Sequence, residues 1–320
     1  MGTAAVLLCQ PTIRPVGVEY LKAHANVIMA PDGAEDTIIS YINEHKCAAI
    51  VTRTERITKR VVDSCPSLRV VGQHGIGLDN IDLEAATAAG VRVLHVPDAT
   101  YQSVAEHAAM FLLALSRDLY RADANVRSGN WVYRESHFPM EVMGKTVLII
   151  GVGRIGGALA KRLSGFDMNL LGYDIYLDRE TLAAKGVTKV ETLEEALPQA
   201  DFVTCHVPLT PLTRHMISRP QLKLMKPGAY LMNLARGPVV EQEALAEALQ
   251  NRTIAGAALD VFEQEPATAD NPLLALDNIM VTPHFAGDTL EGKNRCSTRI
   301  AETVIATLAG EDTYNWANRF

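Results

Sequence analysis

The stretch TVLIIGVGRIGGALAKRL, residues 146–163, decides the fold. Its first five residues are largely apolar and rich in β-branched side chains, as in a buried strand. Gly151, Gly153 and Gly156 follow with G-x-G-x-x-G spacing, and Ile155, Leu159 and Leu163 then fall on one helical face. Each glycine answers a steric need: Gly151 permits the tight turn, Gly153 lets backbone approach a bulky anion, and Gly156 lets helix press on strand. Arg154 and Ile155 open a helix whose free N–H groups and dipole favour phosphate. A chain with 22 glycines can produce that spacing by chance, but strand before and helix after together are specific. The unit fits the pyrophosphate of a dinucleotide.

The next strand, Asn169–Tyr173, leads to Asp174. A carboxylate at that point hydrogen-bonds ribose hydroxyls and repels a 2′-phosphate. No arginine stands immediately beside it, so the expected cofactor is NAD (NADH) rather than its 2′-phosphate. Further strands are expected at Phe202–His206, Tyr230–Asn233, Ala257–Val261 and Ile279–Thr282, six in all with helical segments between, as in a doubly wound sheet.

Toward the N-terminus the same alternation recurs. Ala5–Leu8, Val27–Met29, Ala48–Val51, Arg69–Val71 and Val91–Leu94 read as strands of a second, smaller α/β unit with a parallel sheet. A continuous helix is expected from Ser103 to about Arg121. Gly129–Met143, holding Trp131, Tyr133, Phe138 and Pro139, reads as an irregular arm, either a contact with a second subunit or a loop folded back on its own domain. Leu290–Leu308 is again helical and should cross back to the first unit. The expected class is α/β: one domain of residues 1–100 with 288–320, and a Rossmann-type domain of residues 101–287.

Three later strand ends carry candidate chemistry, at the edge where doubly wound sheets place ligands. Arg236 follows one strand and precedes Gly237-Pro238; a planar guanidinium there can clasp a carboxylate in two places and polarise a neighbouring ketone. Asp260, Glu263 and Glu265 follow another, and position alone does not choose among them. His284 follows a third, ahead of a small-residue loop, and suits an acid/base near neutral pH. Reduction of a 2-keto acid needs a hydride donor, a proton donor and a carboxylate clamp, and all three have candidates.

The formal net charge of −7 argues against nucleic acid or an anionic membrane as partner. No window is long and apolar enough for a membrane span, and the N-terminus lacks a signal peptide's basic region. The five cysteines, Cys9, Cys47, Cys65, Cys205 and Cys296, show no metal or redox spacing. A soluble, cytoplasmic protein without a metal is expected.

The motifs HGIGLDNID (74–82), SVAEH (103–107), GVGRIGGALA (151–160), HVPLTPLT (206–213), NLARGPVV (233–240), ALDVFEQEP (258–266) and TPHFAG (282–287) occur in one order along the chain. With them the chain resembles the D-2-hydroxyacid dehydrogenases over essentially its full length, the group that includes phosphoglycerate dehydrogenase, hydroxypyruvate and glyoxylate reductases and D-lactate dehydrogenase. The resemblance implies that Arg236 binds substrate, that Glu265 is the carboxylate partner and that His284 donates the proton. It implies cofactor contacts at Val104, His206, Val207, Pro208, Thr213, Leu234, Ala235, Asp260, Ala286 and Gly287, besides the glycine loop, Asp174, Arg236 and His284. Substrate contacts are implied at His74, Gly75, Ile76 and Gly77. It implies a flavodoxin-like first unit completed by the C-terminal helix, and a homodimer.

Departures bear on substrate choice. His74 stands where many relatives carry serine or arginine, and Tyr101 where a small polar residue is common. Arg53 is open to two readings, contact with a second anionic group or a structural ion pair. The end of the chain soon after the last helix implies no C-terminal regulatory domain and no serine feedback. Hydroxypyruvate, glyoxylate or a phosphoglycerate-like acid is the expected substrate class, in NAD(H)-linked reduction or oxidation. Competing readings are formate or phosphite oxidation on the same scaffold, and an NAD-sensing corepressor-like binding protein. Retained Glu265 weighs against the formate reading, and turnover with 2-keto acids would separate the last.

Overall fold

A computed structural model describes residues 4–9 and 13–319. The ends of the expected N-terminal domain at residues 1–3 and 320, and residues 10–12 after its first strand, lie outside that range. Two compact units divide the chain, Met1–Thr100 with Asp288–Phe320, and Tyr101–Gly287.

In the first unit β1 (Ala5–Cys9), β2 (Asn26–Ala30), β3 (Ala49–Thr52), β4 (Val70–Gln73) and β5 (Arg92–Leu94) form a parallel sheet in the order β2-β1-β3-β4-β5. That is the flavodoxin-like order, reversing direction between β1 and β3. Side chains alternate between two cores: Leu7, Cys9, Ile50, Val71 and Val93 on one face, Val6, Leu8, Ala49, Val51 and Leu94 on the other. The helix Leu290–Leu308 covers the second face through Cys296, Ile300, Ala301 and Val304. It starts at Thr289, whose hydroxyl accepts from the Gly292 N–H at 3.0 Å. Its approach is so close that a Cβ at Gly72 would lie 2.6 Å from Val304 Cγ2, and one at Gly17 2.5 Å from the Ser297 carbonyl oxygen.

In the second unit β6 (Thr146–Ile150), β7 (Asn169–Tyr173), β8 (Thr188–Lys189), β9 (Phe202–Cys205), β10 (Tyr230–Asn233), β11 (Gly256–Leu259) and β12 (Ile279–Val281) form a parallel sheet. Its order is β12-β11-β10-β9-β6-β7-β8, so the winding reverses between β6 and β9. Helices cover both faces. Leu148, Ile150, Val203 and Leu231 pack to one side, Val147, Ile149, Phe202 and Met232 to the other.

Two expectations need correction. The sheet has seven strands rather than six; β8 is a two-residue edge strand, too short to leave a periodic pattern. The long helix is two, Tyr101–Ser116 and Leu119–Arg127, because Asp118 adopts a left-handed conformation, φ +49°. Its carboxylate accepts from Arg121 Nε at 2.7 Å and from the Tyr133 hydroxyl, which ties the break to the following arm. The arm contains a 3₁₀ turn, Trp131–Glu135, and returns to its own unit where the Met140 N–H donates to the Ser116 carbonyl at 2.8 Å. Trp131, Val132 and Phe138 nevertheless remain exposed.

Candidate functional site

The turn after β6 starts at Gly151, φ +89°. A Cβ there would lie 2.9 Å from Val207 Cγ1 and 3.0 Å from the His206 carbonyl, so Val207 and His206 at the end of β9 dictate glycine. A Cβ at Gly156 would sit 2.2 Å from the Gly151 carbonyl oxygen, which is the helix-on-strand contact that spacing demands. Gly153 is different: its Cβ would meet nothing within 4 Å. Open space therefore lies before the helix Arg154–Leu163, whose first turn no side chain caps. A dinucleotide pyrophosphate needs this cradle of free N–H groups, positive dipole and missing side chain. The residues present fit NAD.

Asp174 is half-buried and holds the neighbouring turns. Its Oδ2 accepts from the Val152 N–H at 2.9 Å, and Oδ1 from Tyr176 and Leu177 at 2.9 and 3.1 Å. Among the remaining expected cofactor residues, Thr213 closes its own loop, its hydroxyl donating to the Pro208 carbonyl at 2.6 Å. His206 Nε2 lies 2.9 Å from Thr204 Oγ1, and burial pushes its imidazole down to about 3. Val104 is buried in the same core as Leu234 and Ala286.

The segment after β10 is shaped by Asn233, which opens the motif NLARGPVV but carried no expected role. Asn233 is buried; its Oδ1 accepts from the Ala235 N–H at 3.1 Å and its Nδ2 donates to the Arg236 carbonyl at 2.9 Å. Leu234 and Ala235 are buried while Arg236 emerges half-buried, its Nη1 donating to the Ala235 carbonyl at 2.7 Å. Gly237 seats this loop on the next: a Cβ there would lie 1.9 Å from the Phe262 carbonyl atoms.

That next loop holds the three carboxylates, and the geometry sorts them. Asp260 is buried and anchors the turn after β12, accepting from Thr282 Oγ1 at 2.6 Å and from the Phe285 and Ala286 N–H groups at 3.0 Å each. Glu263 accepts from His215 Nε2 and from the Gln242 N–H, both at 3.0 Å. Glu265 alone meets the candidate histidine: Nδ1 of His284 donates to its Oε2 at 2.6 Å, while the Phe262 N–H donates to Oε1 at 3.0 Å.

His284 takes a left-handed backbone, φ +51°, held by its N–H donating to the Asp260 carbonyl at 2.8 Å. Its side chain is 48% exposed, so the ring is supported from one side and open on the other. The Glu265 hydrogen bond, against burial, raises its pKa above the usual histidine range; the Glu265 and Asp260 charges help and Arg236 opposes. Burial pulls Glu265 upward, but the bonds from His284 and Phe262 and the His284 and Arg236 charges outweigh it and hold that carboxyl low. The guanidinium is therefore felt by both partners. A cationic fork beside a propped imidazolium can bind a carboxylate and deliver a proton to an oxygen next to it.

In the first unit, the His74 ring turns inward, 7% exposed, with Nε2 2.8 Å from Ser297 Oγ; burial and then Arg53 lower its pKa to about 4. The ring is a neutral internal link to the closing helix. Gly75, Ile76 and Gly77 are partly exposed beyond β4, the Ile76 carbonyl accepting from His95 Nδ1 at 3.0 Å. Arg53 forms the structural ion pair, Nη2 to Asp288 Oδ2 at 2.8 Å, and Lys293 Nζ meets the same oxygen at 2.8 Å.

Comparison with known proteins agrees with this geometry. Residues 109–286 match the family described as D-isomer specific 2-hydroxyacid dehydrogenase, NAD binding domain. The chain is 44% identical over 94% of its length to a D-3-phosphoglycerate dehydrogenase of Methanocaldococcus jannaschii, but spans only 57% of that protein. It is 42% identical to a glyoxylate reductase of Thermofilum pendens, covering 83% of this chain and 79% of the relative. A D-lactate dehydrogenase of Aquifex aeolicus, solved with NAD and lactic acid, superposes with a TM-score of 0.87 at 29% identity, covering 98% and 99% of the two chains. Glycine cradle, sheet order and these likenesses agree: the chain belongs to the D-isomer specific 2-hydroxyacid dehydrogenase family, and its second unit carries that family's NAD-binding domain.

Proposed function

We propose that this protein is an NAD-dependent oxidoreductase that interconverts a small 2-keto acid and its 2-hydroxy acid. The observation that carries the reading is the 2.6 Å bond from His284 to Glu265 within the field of Arg236. NADH, when bound, supplies the hydride to the keto carbon. The Arg236 fork clasps the substrate carboxylate and draws electron density from the adjacent carbonyl. With Nδ1 engaged by Glu265, the Nε2–H of His284 is the proton source for the keto oxygen; afterwards the ring is neutral and the carboxylate stays charged. Asp174 fits the ribose hydroxyls, and Gly153 with the amides after it fits the pyrophosphate. The cofactor contacts proposed for Arg154, Ile155, His206, Val207, Pro208, Thr213, Val104, Leu234, Ala235, Asp260, Ala286 and Gly287 rest on the motifs and on their place at strand ends. The substrate contact proposed for Gly75, Ile76 and Gly77 rests on their motif and their place after β4. The first unit is then the substrate domain.

The named activities of the relatives, 3-phosphoglycerate oxidation and glyoxylate reduction, and the lactic acid bound to one of them support a small 2-hydroxy or 2-keto acid, with or without a phosphate. Exposed Leu119, Val126, Trp131, Val132 and Phe138 support a homodimer formed through the arm, which sedimentation velocity tests directly. All five cysteines are buried, and among the described residues no helix is long and apolar enough to cross a membrane; both suit a cytoplasmic enzyme.

NADH oxidation against pyruvate, glyoxylate, hydroxypyruvate and bulkier keto acids tests the reading. Turnover with at least one small acid is expected, and His284→Ala should lower kcat by about 10²–10⁴-fold with NADH binding retained. No turnover with any acid of the series, or an undiminished kcat in that variant, would overturn it.

A further inference from the structure

Asp260 holds the turn that presents His284, and it is itself held. Its Oδ1 takes the hydroxyl proton of Thr282 at 2.6 Å. A hydroxyl has one proton, so Thr282 Oγ1 has only acceptor capacity left for the His107 Nε2 that stands 3.2 Å away. His107 must therefore be the donor, in its Nε2–H form. Burial holds its pKa below the usual histidine range against the pull of Asp260, so the ring stays neutral near pH 7. The same ring stands edge-on to Phe285, centroids 5.4 Å apart, and to Phe111 at 4.5 Å. It thus grips the residues on either side of His284, Thr282 by a hydrogen bond and Phe285 by ring contact.

A left-handed non-glycine residue is costly and persists only where its surroundings over-determine it. The relay His107–Thr282–Asp260, with the Phe285 and Ala286 amides, supplies that determination here. We propose that His107, on the helix Tyr101–Ser116, is a positioning residue for proton transfer: through Thr282 and Asp260 it fixes the turn that aims His284 at the substrate and keeps it on Glu265. The inference deepens the proposed function and rests on the reading of His284 as proton donor.

A merely structural histidine would affect stability alone. A positioning one must also change how His284 titrates, because its pKa is set by Glu265, Arg236 and Asp260, and the Glu265 bond depends on the turn. The test uses the full chain with His107→Leu, His107→Gln, Thr282→Val and Thr282→Ser. His284 titration is followed by NMR on histidine-labelled protein, beside thermal midpoints and glyoxylate reduction as a function of pH. In His107→Leu and Thr282→Val, the His284 pKa should fall by about one unit, and the alkaline limb of kcat/KM should move down with it. Gln keeps a donor for Thr282 and Ser keeps the hydroxyl, so those variants should restore wild-type titration. An unchanged His284 pKa in folded His107→Leu, or a fall in His107→Gln as large as in His107→Leu, would overturn the relay. Failure of the underlying reading looks different: His284→Ala would keep its glyoxylate turnover, while the titration would still report the coupling, which needs no substrate.

Discussion

At the residue scale, His284 sits between opposing influences, with Glu265 and Asp260 stabilising its proton and Arg236 repelling it. Reduction consumes that proton. Its kcat/KM should therefore be flat below the raised His284 pKa and fall as pH rises through it, while oxidation, which needs the neutral ring, should rise over the same interval. Glu265→Gln removes the charge and weakens the bond, so both limbs should move down by about one pH unit or more. Limbs that stay in place in that variant would remove Glu265 from the proton-transfer role. Arg236 and His284 stood out as candidates because each follows a strand, whereas Glu265 was separated from Asp260 and Glu263 only by the family resemblance. The inward turn of the His74 ring was not legible, because a motif places backbone, whereas ring direction depends on Ser297, far along the chain. Asn233, Thr282 and His107 carried no signal of their own, since their meaning lies in pairings across elements.

At the element scale, the loops after β10 and β11 are packed backbone to backbone at Gly237. Arg236 and Glu265 belong to different loops, and that contact sets how closely the two loops approach. A methyl group at Gly237, 1.9 Å from the Phe262 carbonyl, has no space, so Gly237→Ala must push the loops apart. Overpacking of this kind costs about 1–3 kcal/mol. The expected result is a lowered thermal midpoint together with a raised KM for the keto acid, read by differential scanning calorimetry and steady-state kinetics. A KM equal to wild type would show that the loops tolerate separation. The strands themselves were largely legible, because buried parallel strands write continuous apolar runs. What escaped was short or depended on one dihedral: the edge strand β8, and the helix break at Asp118, whose partner Tyr133 lies in the arm.

At the scale of the whole molecule, the first unit is discontinuous, its sheet built from the first hundred residues and its second face covered by Leu290–Leu308. The return of that segment was legible from its helical pattern and the lack of a neighbouring strand. The glycines that admit it were not, since Gly72 and Gly17 matter only once the helix is laid on them. Gly72→Ala places a methyl 2.6 Å from Val304 Cγ2 and should lower stability by about 1–3 kcal/mol. Val304→Ala in the same chain relieves the nearest contact, leaving Ile300 Cγ1 at 3.2 Å, so the pair should be less destabilised than the sum of the two singles, as chemical denaturation would measure. Strict additivity would mean that the helix does not press on β4. The discontinuity also orders events during biosynthesis. A chain emerging from the ribosome can complete residues 101–287 while Val6, Leu8, Ala49 and Val51 are still waiting, bare on one side, for a helix not yet translated. The part made first is finished last, and until then its uncovered face is a natural client for a chaperone.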